Sequence, residues 1–340
     1  MPVKAIINLK NIVFNAKVIR RILPKTVKFC AVVKADAYGH GAEKVANAIY
    51  QIVDCFAVAT VTEGVRLRLA GIDKDVLVLT KTFDDELPQA IQYSLILTAG
   101  DIDDLKRYSC EGKRQNVKVK THIKFDTGMH RQGVSEIKDL TFAIKYAEKC
   151  RYIDVCGMYS HLANPESERS RKKAIAKFLL AKNALKDYNN IDYHISASGG
   201  FIKGAYFDMV RIGILLYGYK PFPTDKIKVK PALKVYAPIV ARRKLSRGES
   251  ALYGDKKTKS NMDFALVRYG YADGLERREI KGQFNNRCMD LTAIKGDFNN
   301  KKEICVMENA ENCARDYGTI SYEILVKCAL RAEKEYILNQ

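Results

Sequence analysis

The sequence predicts an α/β protein in which a (β/α)8 TIM barrel is followed by a mainly β C-terminal domain. Over roughly the first 220 residues, eight short apolar runs alternate with segments of helical periodicity. After 217–223 the pattern changes to short apolar runs separated by turn-forming residues. A doubly wound sheet fits the first part slightly less well, because eight βα units are what a closed barrel requires.

The barrel strands are predicted from runs rich in apolar and β-branched residues. These runs are 26–33, 55–61, 75–80, 95–98, 117–125, 153–159, 192–196 and 208–211. Amphipathic segments lie between most of them, and the clearest helix is 167–188. Gly71 follows a helical segment at the place where a C-cap glycine belongs.

The second domain is predicted from turn signals at 247–248, 253–254, 272–274 and 295–297. A helical segment at 322–332 precedes a final short strand. We therefore expect a barrel domain over 1–232 and a β-rich domain over 233–340. Residues 1–10 form a strand that can pair with the second domain.

The composition is that of a soluble globular protein. Of the 340 residues, 47% are hydrophobic and 29% charged, and no apolar stretch reaches the length of a membrane span. The N-terminus lacks the apolar core of a signal peptide. The nine cysteines contain no CxxC spacing, which favours free thiols in a reducing cytoplasm and argues against a metal site.

The net charge of +19 raises the possibility of a nucleic-acid-binding protein. The lysines and arginines are spread along the whole chain, without a basic tail or a nucleic-acid motif. Such a distribution is typical of a solvated surface, so we expect no nucleic-acid partner.

In a TIM barrel the active site lies at the C-terminal ends of the strands. Lys34 ends the first predicted strand, directly after four apolar residues. A lysine in that place either extends its ammonium group to solvent or supplies an amine that forms a Schiff base with an aldehyde cofactor.

Four other predicted strands also end in polar residues. These ends are 124–133, 160–164, 196–200 and 210–214, and they bring a lysine, two arginines, a histidine and a serine to the same rim. Any one of these residues could be a structural polar group, but together they predict a site. The small residues beside Ser198 and Gly213 would let backbone N–H groups approach a phosphate.

Six segments resemble the signature segments of alanine racemases, and they occur in the family's order. They are VVKADAYGHG (32–41), KFDTGMHRQG (124–133), VRIGILLYG (210–218), GYADG (270–274), CMD (288–290) and TISYEIL (319–325). Together they span nearly the whole chain.

This resemblance implies a homodimeric enzyme that interconverts L- and D-alanine and supplies D-alanine for peptidoglycan. Pyridoxal 5'-phosphate would be bound to Lys34, which would also act as one catalytic base. Tyr253 would be the second base and would reach the site from the other subunit. Racemisation needs a base on each face of the planar carbanion.

The resemblance assigns further roles around the cofactor ring and the substrate. Arg211 would face the pyridine nitrogen and keep it unprotonated, and His161 would lie between Arg211 and Tyr253. Arg131 would contact the phenolic oxygen of the cofactor and the substrate, and a carbamylated Lys124 would brace it. Met289 of the second subunit would lie near the substrate carboxylate.

The remaining implied roles concern the phosphate and the entrance. The phosphate group would be held by Tyr38, Ser198, Gly213, Ile214 and Tyr322. Tyr271 and Tyr322 would line a narrow entrance that favours a substrate as small as alanine. The other four histidines, which are structural or exposed by this interpretation, are His40, His122, His130 and His194.

The chain departs from the family pattern in its second domain. The segment between Gly274 and Cys288 and the segment 298–314 are both shorter than in the family, and Leu291 stands where a glutamine is usual. Both short segments belong to the domain that presents Tyr253 and Met289.

Three alternatives share the scaffold. The first is a racemase for serine, lysine or several amino acids, which Tyr322 at the entrance disfavours. The second is a decarboxylase, which would carry a cysteine in place of Tyr253. The third is a non-enzyme that carries pyridoxal phosphate, which would have no use for the second domain.

Overall fold

The computed structural model describes residues 1–278 and 282–337. By their contacts these residues divide into two units. The first, here the barrel unit, contains Ile12–Ala37 and Ala42–Val229. The second, here the β unit, contains Met1–Asn11, Tyr38–Gly41 and the chain from Lys230 onward.

The barrel unit contains eight parallel strands. They are β2 (Lys28–Val32), β3 (Cys55–Val58), β4 (Val76–Val78), β5 (Leu97–Ala99), β6 (Val119–Lys124), β7 (Ile153–Tyr159), β8 (Asp192–His194) and β9 (Met209–Ile212). They form two sheets in the orders β4-β3-β2-β9 and β5-β6-β7-β8. A bridge between Leu77 and Ile96 joins the sheets on one side. On the other side Arg211 N donates to Ser196 O over 2.9 Å. The closed barrel that the sequence predicts is confirmed.

Helices follow most of these strands. They are α3 (Ala42–Ile49), α4 (Val61–Leu69), α5 (Leu87–Gln92), α6 (Ile102–Gln115), α7 (Ile137–Lys149), α8 (Glu168–Ala184) and α9 (Ser198–Ile202), and α1 (Leu9–Ile22) precedes the barrel. Thr60 and Glu63 form a capping box at the start of α4, which satisfies two free N–H groups. Gly71 has φ +86°, as expected for a residue that ends a helix. The helix predicted at 167–188 begins after its cap Ser167 but ends at Ala184.

The chain turns in a left-handed sense directly after β2. In the element α2 (Lys34–Tyr38), Ala35, Asp36 and Ala37 have φ between 51° and 54°. This conformation costs about 1–2 kcal/mol for each residue that carries a Cβ. Two carboxylates hold the turn: Glu63 accepts from Ala35 N (2.7 Å), and Asp36 accepts from Ala42 N (2.9 Å). The turn fixes the position of Lys34, its first residue.

Polar side chains from five strands meet inside the barrel. The ring of Tyr159 stacks on His194, with centroids 5.0 Å apart and planes 6° apart. The Tyr159 hydroxyl lies 3.0 Å from Thr98 Oγ1. All three side chains are buried, as are His122 and Arg211. Because these groups satisfy one another, the barrel can hold them without leaving polar atoms unpaired.

The β unit is built on one sheet. Its strands are β1 (Lys4–Asn8), β10 (Leu233–Leu245), β11 (Met262–Val267), β12 (Thr292–Lys295), β13 (Glu303–Met307) and β14 (Glu333–Ile337). The order is β12-β11-β10-β1-β14, and β13 pairs with β10. The first strand is antiparallel to β10 and parallel to β14.

The described residues of the β unit also form three short helices: a 3-10 helix (Tyr271–Asp273), α10 (Ala310–Tyr317) and α11 (Ser321–Lys327). The helix predicted at 322–332 therefore ends five residues earlier than expected, before a turn that leads into β14. Helix α10 was not predicted from the sequence. Its signals are a cap at Asn309, whose Oδ1 accepts from Glu311 N and Asn312 N, and Gly318 at its end.

Within the described ranges, every helix is too short or too polar to cross a bilayer.

Candidate active site

Lys34 lies half-buried at the C-terminal end of β2. Burial and then the charge of Arg131 lower the pKa of its ammonium group, and Glu63 opposes that change only partly. No hydrogen bond of Nζ is present in the described part of the chain. An amine with a lowered pKa and no protein partner is available for Schiff-base chemistry.

Lys124 is the last residue of β6 and is only 6% exposed. Burial, followed by the charges of Arg131 and Arg211, lowers the pKa of Lys124 to about 8. Its Nζ lies 3.4 Å from Gln132 Oε1 and 5.5 Å from the centroid of the Tyr159 ring. Both lysines therefore belong to one group of mutually repelling cations.

The loop after β6 is shaped by Asp126. Its carboxylate accepts backbone N–H bonds from Gly128, Met129 and His130 over 2.8–3.2 Å. Burial raises the pKa of Asp126, but these three donors outweigh it and leave the pKa lowered. The loop presents Arg131, which is exposed and whose charge acts on Lys34 and Lys124.

Gly133 closes this loop against β6. Its φ is +119°, and a Cβ there would lie 2.7 Å from Lys124 O. Only glycine fits without displacing the backbone that carries Lys124.

Arg211 lies in β9 and is 3% exposed. Its Nη1 donates to His194 Nδ1 over 2.5 Å, and its Nη2 donates to Ser160 O over 2.6 Å. The guanidinium also lies over the Tyr159 ring, with its carbon 5.0 Å from the centroid. Burial lowers the pKa of Arg211, but a guanidinium stays charged in proteins. The interior therefore holds a fixed positive charge.

His161 continues the hydrogen bonds of Arg211 toward the rim. Its Nδ1 lies 3.4 Å from Arg211 Nη2. Burial and then the charge of Arg211 lower the pKa of His161 to about 3. The imidazole is therefore neutral near pH 7, and its Nδ1 accepts the bond from the guanidinium.

Three of the residues assigned to the phosphate come together in the barrel unit. Ser198 is the first residue of α9, and its Oγ accepts a hydrogen bond from Gly213 N over 3.3 Å. Ile214 follows Gly213 in a tight turn that leads from β9. Backbone N–H groups and a hydroxyl in this arrangement suit a phosphate.

The other two residues assigned to the phosphate lie in the β unit. The rings of Tyr38 and Tyr322 are tilted, with centroids 6.0 Å apart. Burial raises the pKa of Tyr322 to about 12, and burial also raises the pKa of Tyr38. Both phenols are therefore neutral donors at ordinary pH.

Tyr253 and Met289 are unusually exposed for their residue types, at 63% and 54%. Both belong to the β unit. Tyr253 forms a backbone bridge with Asn286, and the guanidinium carbon of Arg277 lies 5.7 Å from its ring centroid. Tyr271 is half-buried, and its N–H donates to Cys288 O over 3.0 Å. Apolar and phenolic groups held outward in this way are suited to a partner surface.

The structure thus brings Lys34, Lys124, Arg131, His161 and Arg211 into one electrostatic group, and it places Ser198 beside Gly213. Two residues of the site were not predicted from the sequence. Glu63 holds the turn at Lys34, and the ring of Tyr159 lies against the cations of Lys124 and Arg211. Glu63 was detectable as the third residue of a capping box. Tyr159 had no signal beyond its position at a strand end.

The four histidines predicted to be structural or exposed include both kinds. His40, His122 and His194 are buried, whereas His130 is exposed. Two of the buried rings, His122 and His194, are hydrogen-bonded to each other over 3.0 Å.

Comparisons with known proteins match the chain over nearly its full length. The alanine racemase N-terminal domain matches residues 7–221, and the alanine racemase C-terminal domain matches residues 232–336. The chain is 31% identical to an alanine racemase of Treponema denticola, over 98% of each protein.

Solved structures agree with this match. A Clostridium difficile alanine racemase superposes with a TM-score of 0.93 at 30% identity, covering 99% of this chain and 96% of that one. A Bacillus anthracis alanine racemase with bound L-Ala-P gives 0.90 at 26% identity, covering 99% and 95%.

Proposed function

The chain belongs to the alanine racemase family, and on that basis we propose that it interconverts L- and D-alanine with pyridoxal 5'-phosphate bound to Lys34. The observation that carries the proposal is the lowered pKa of the Lys34 amine at the rim of a closed barrel, beside Arg131.

The residues at the rim fit this cofactor. Lys34 offers an amine for the aldehyde, and the surrounding cations favour an anionic group. Ser198 and Gly213 are hydrogen-bonded neighbours that offer donors suited to a phosphate, and to them we add Ile214, Tyr38 and Tyr322. When bound, pyridoxal phosphate supplies an electron sink that stabilises negative charge on the α-carbon of an amino acid.

Arg211 would hold the pyridine nitrogen. Its two terminal nitrogens are occupied by His194, Ser160 and His161, while Nε has no hydrogen-bond partner within residues 1–278 and 282–337. A guanidinium donates and does not release its proton, so a nitrogen facing it stays unprotonated. This limits electron withdrawal and so disfavours transamination.

Racemisation requires one base on each face of the substrate α-carbon. We propose that Lys34 Nζ is one of these bases, because its lowered pKa makes it easier to deprotonate. Tyr253 of a second subunit would be the other. The exposure of Tyr253 and Met289 supports a homodimer in which each β unit completes the partner's site.

Arg131 would bind the cofactor oxygen and the substrate carboxylate. A carbamate on Lys124 would brace it, because a carbamate attracts the guanidinium that the unmodified ammonium group repels. Met289 would contact the substrate, and Tyr271 with Tyr322 would narrow the entrance. His161, neutral and bonded to Arg211, would connect that arginine to the second base.

The biological role follows from the reaction. We propose a cytoplasmic enzyme that supplies D-alanine for peptidoglycan, with a barrel domain over 1–232 and a second domain over 233–340. Alanine is the proposed substrate and a second copy of the chain the proposed partner.

The test is turnover of the purified, cofactor-saturated protein on D-alanine, with L-alanine detected by a coupled dehydrogenase. We expect turnover in both directions, and D-serine and D-lysine serve as comparison substrates. Absence of turnover on alanine, with normal cofactor absorbance, would contradict the proposal.

A further inference from the structure

A cavity lies at the end of the barrel away from Lys34. Its volume is about 640 Å³. Its wall contains residues at the N-terminal ends of barrel strands, among them Lys28, Cys55, Asp75, Lys120 and Asp192. We call it the basal cavity. Ion pairs join Lys28 to Asp192 (2.5 Å) and Lys120 to Asp75 (3.1 Å) at its wall. His122 also lines it.

A chain of hydrogen bonds runs from this cavity to Arg211. His122 Nδ1 lies 3.0 Å from His194 Nε2, and His194 Nδ1 lies 2.5 Å from Arg211 Nη1. Both rings are buried, at 3% and 0% exposure. This series of hydrogen bonds therefore crosses the barrel interior from one end toward the other.

The arginine fixes the direction of every bond in this chain. A guanidinium only donates, so His194 Nδ1 must accept. A neutral imidazole that accepts at Nδ1 carries its proton on Nε2, so His194 donates to His122 Nδ1. Because His122 also accepts at Nδ1, it carries its proton on Nε2. That N–H remains as a donor at the basal cavity, which His122 lines.

The surroundings keep both rings neutral, as this arrangement requires. Burial and then the charge of Arg211 lower the pKa of His122 to about 3, and the same two causes lower the pKa of His194 well below its ordinary value. Packing also fixes the ring of His122. An added Cβ at Gly157 would lie 2.5 Å from His122 Nε2, so β7 needs glycine there to admit the imidazole.

We propose that His194 and His122 are positioning residues for Arg211, acting as a pair of imidazoles locked in the Nε2-protonated tautomer between the guanidinium and the basal cavity. His194 presents an acceptor to Nη1, and His122 holds His194 in the tautomer that can accept. This assignment rests on the proposed function only in that Arg211 faces the cofactor. The tautomers themselves are a property of the protein alone.

The first experiment measures those tautomers without reference to activity. In protein labelled with 15N-histidine, long-range 1H–15N correlation spectra distinguish a protonated from a bare ring nitrogen. We expect His122 and His194 each to show a protonated Nε2 and a bare Nδ1 near pH 7. A proton on Nδ1 of either ring would overturn the proposal, whether or not the protein racemises alanine.

A matched pair of variants tests the acceptor at position 122. In His122→Asn the side-chain oxygen can take the place of Nδ1, whereas His122→Leu has similar size and no acceptor. The Asn variant should keep the His194 spectrum and lie within about twofold of wild-type kcat. The Leu variant should alter the His194 signals and lower kcat on the order of tenfold, with KM little changed, as is typical for loss of a supporting hydrogen bond.

The two variants also separate positioning from packing. Equal His194 spectra and equal kcat in the Asn and Leu variants would overturn the role of His122. If the Leu variant does not fold, the wild-type tautomers and the Asn variant still decide the question. If the wild type shows the expected tautomers but no racemase activity, the proposed function is contradicted. The assignment of the tautomers of His122 and His194 then still stands.

Discussion

The ammonium group of Lys124 lies 3.4 Å from Oε1 of Gln132, and the amide nitrogen of Gln132 is buried without a hydrogen-bond partner in the described part of the chain. A donor left unsatisfied in this way costs about 1–3 kcal/mol. A carbamate on Lys124 would supply the missing acceptor.

We therefore expect Lys124 to be carbamylated in the presence of CO2. The amine nitrogen bonds to the carbon of CO2 and releases one proton, and the lowered pKa of Lys124, about 8, favours the neutral amine that reacts. With 13C-bicarbonate, the wild type should show a carbamate carbon signal. Gln132→Met should weaken the signal and Lys124→Met should abolish it. An equal signal in all three proteins would contradict the assignment.

Without CO2, the buried charge of Lys124 should make stability depend on pH. Its folded pKa, about 8, is below its ordinary value of 10.5, so the unfolded chain binds more protons between these values. The free energy of unfolding should therefore increase as pH rises from about 8 to 10.5. The increase should be a few kcal/mol at most. Below about pH 8 that contribution is absent.

Lys124→Met provides the comparison for this pH effect. Urea unfolding in CO2-free buffer should show the wild type approaching the variant in stability as pH rises, because only the wild type relieves a buried charge. Parallel pH profiles would show that Lys124 does not carry the effect.

Replacing Lys34 with alanine should remove both the absorbance of lysine-bound pyridoxal phosphate and racemase turnover, because the amine for the Schiff base is lost. Absorbance spectra and the coupled assay measure the two effects. Lys120→Ala, a lysine of the basal cavity, is the matched control and should keep both. An unchanged absorbance band in the Lys34 variant would refute the cofactor assignment.

Tyr253→Phe should retain bound cofactor but lose most turnover, by about 10²-fold or more, because a phenyl ring cannot transfer a proton. The kcat values in the two directions should fall unequally. The kcat/KM values must stay equal, since the two enantiomers have equal free energy. Assays in both directions measure this. Wild-type kcat in both would remove Tyr253 from the mechanism.

Glu63 should prove to be a positioning residue for Lys34. Its Oε1 accepts from Ala35 N in the left-handed turn, and its Oε2 accepts from Ala59 N, each over 2.7 Å. Glu63→Ala should lower the free energy of unfolding by roughly 1–3 kcal/mol and weaken cofactor binding. Glu63→Asp, which keeps a carboxylate on a shorter side chain, should lie between the alanine variant and wild type. Equal cofactor affinity in all three proteins would contradict this role.

The barrel was predictable because its strands are continuous apolar runs and its helices have clear periodicity. The left-handed turn was not, because residues 35–38 contain no glycine or asparagine to indicate positive φ, and one of the two carboxylates that hold the turn, Glu63, is distant in sequence. The identities of the rim residues were predictable from strand ends. Their pKa values, and the bond between His122 and His194, depend on burial and neighbours that only the folded barrel supplies.

The pairing of β1 with β14 has a consequence for how the chain acquires its structure. Ala5 lies opposite Lys334, so β1 finds its parallel neighbour among residues made more than 300 positions later. Closing so long a loop is slow and entropically costly. During synthesis β1 cannot pair with β14 until β14 has been made, whereas residues 12–229 can already have assembled the barrel. The β unit is then completed after translation reaches residue 337, so C-terminal truncation would leave the N-terminal strand without a neighbour on one edge.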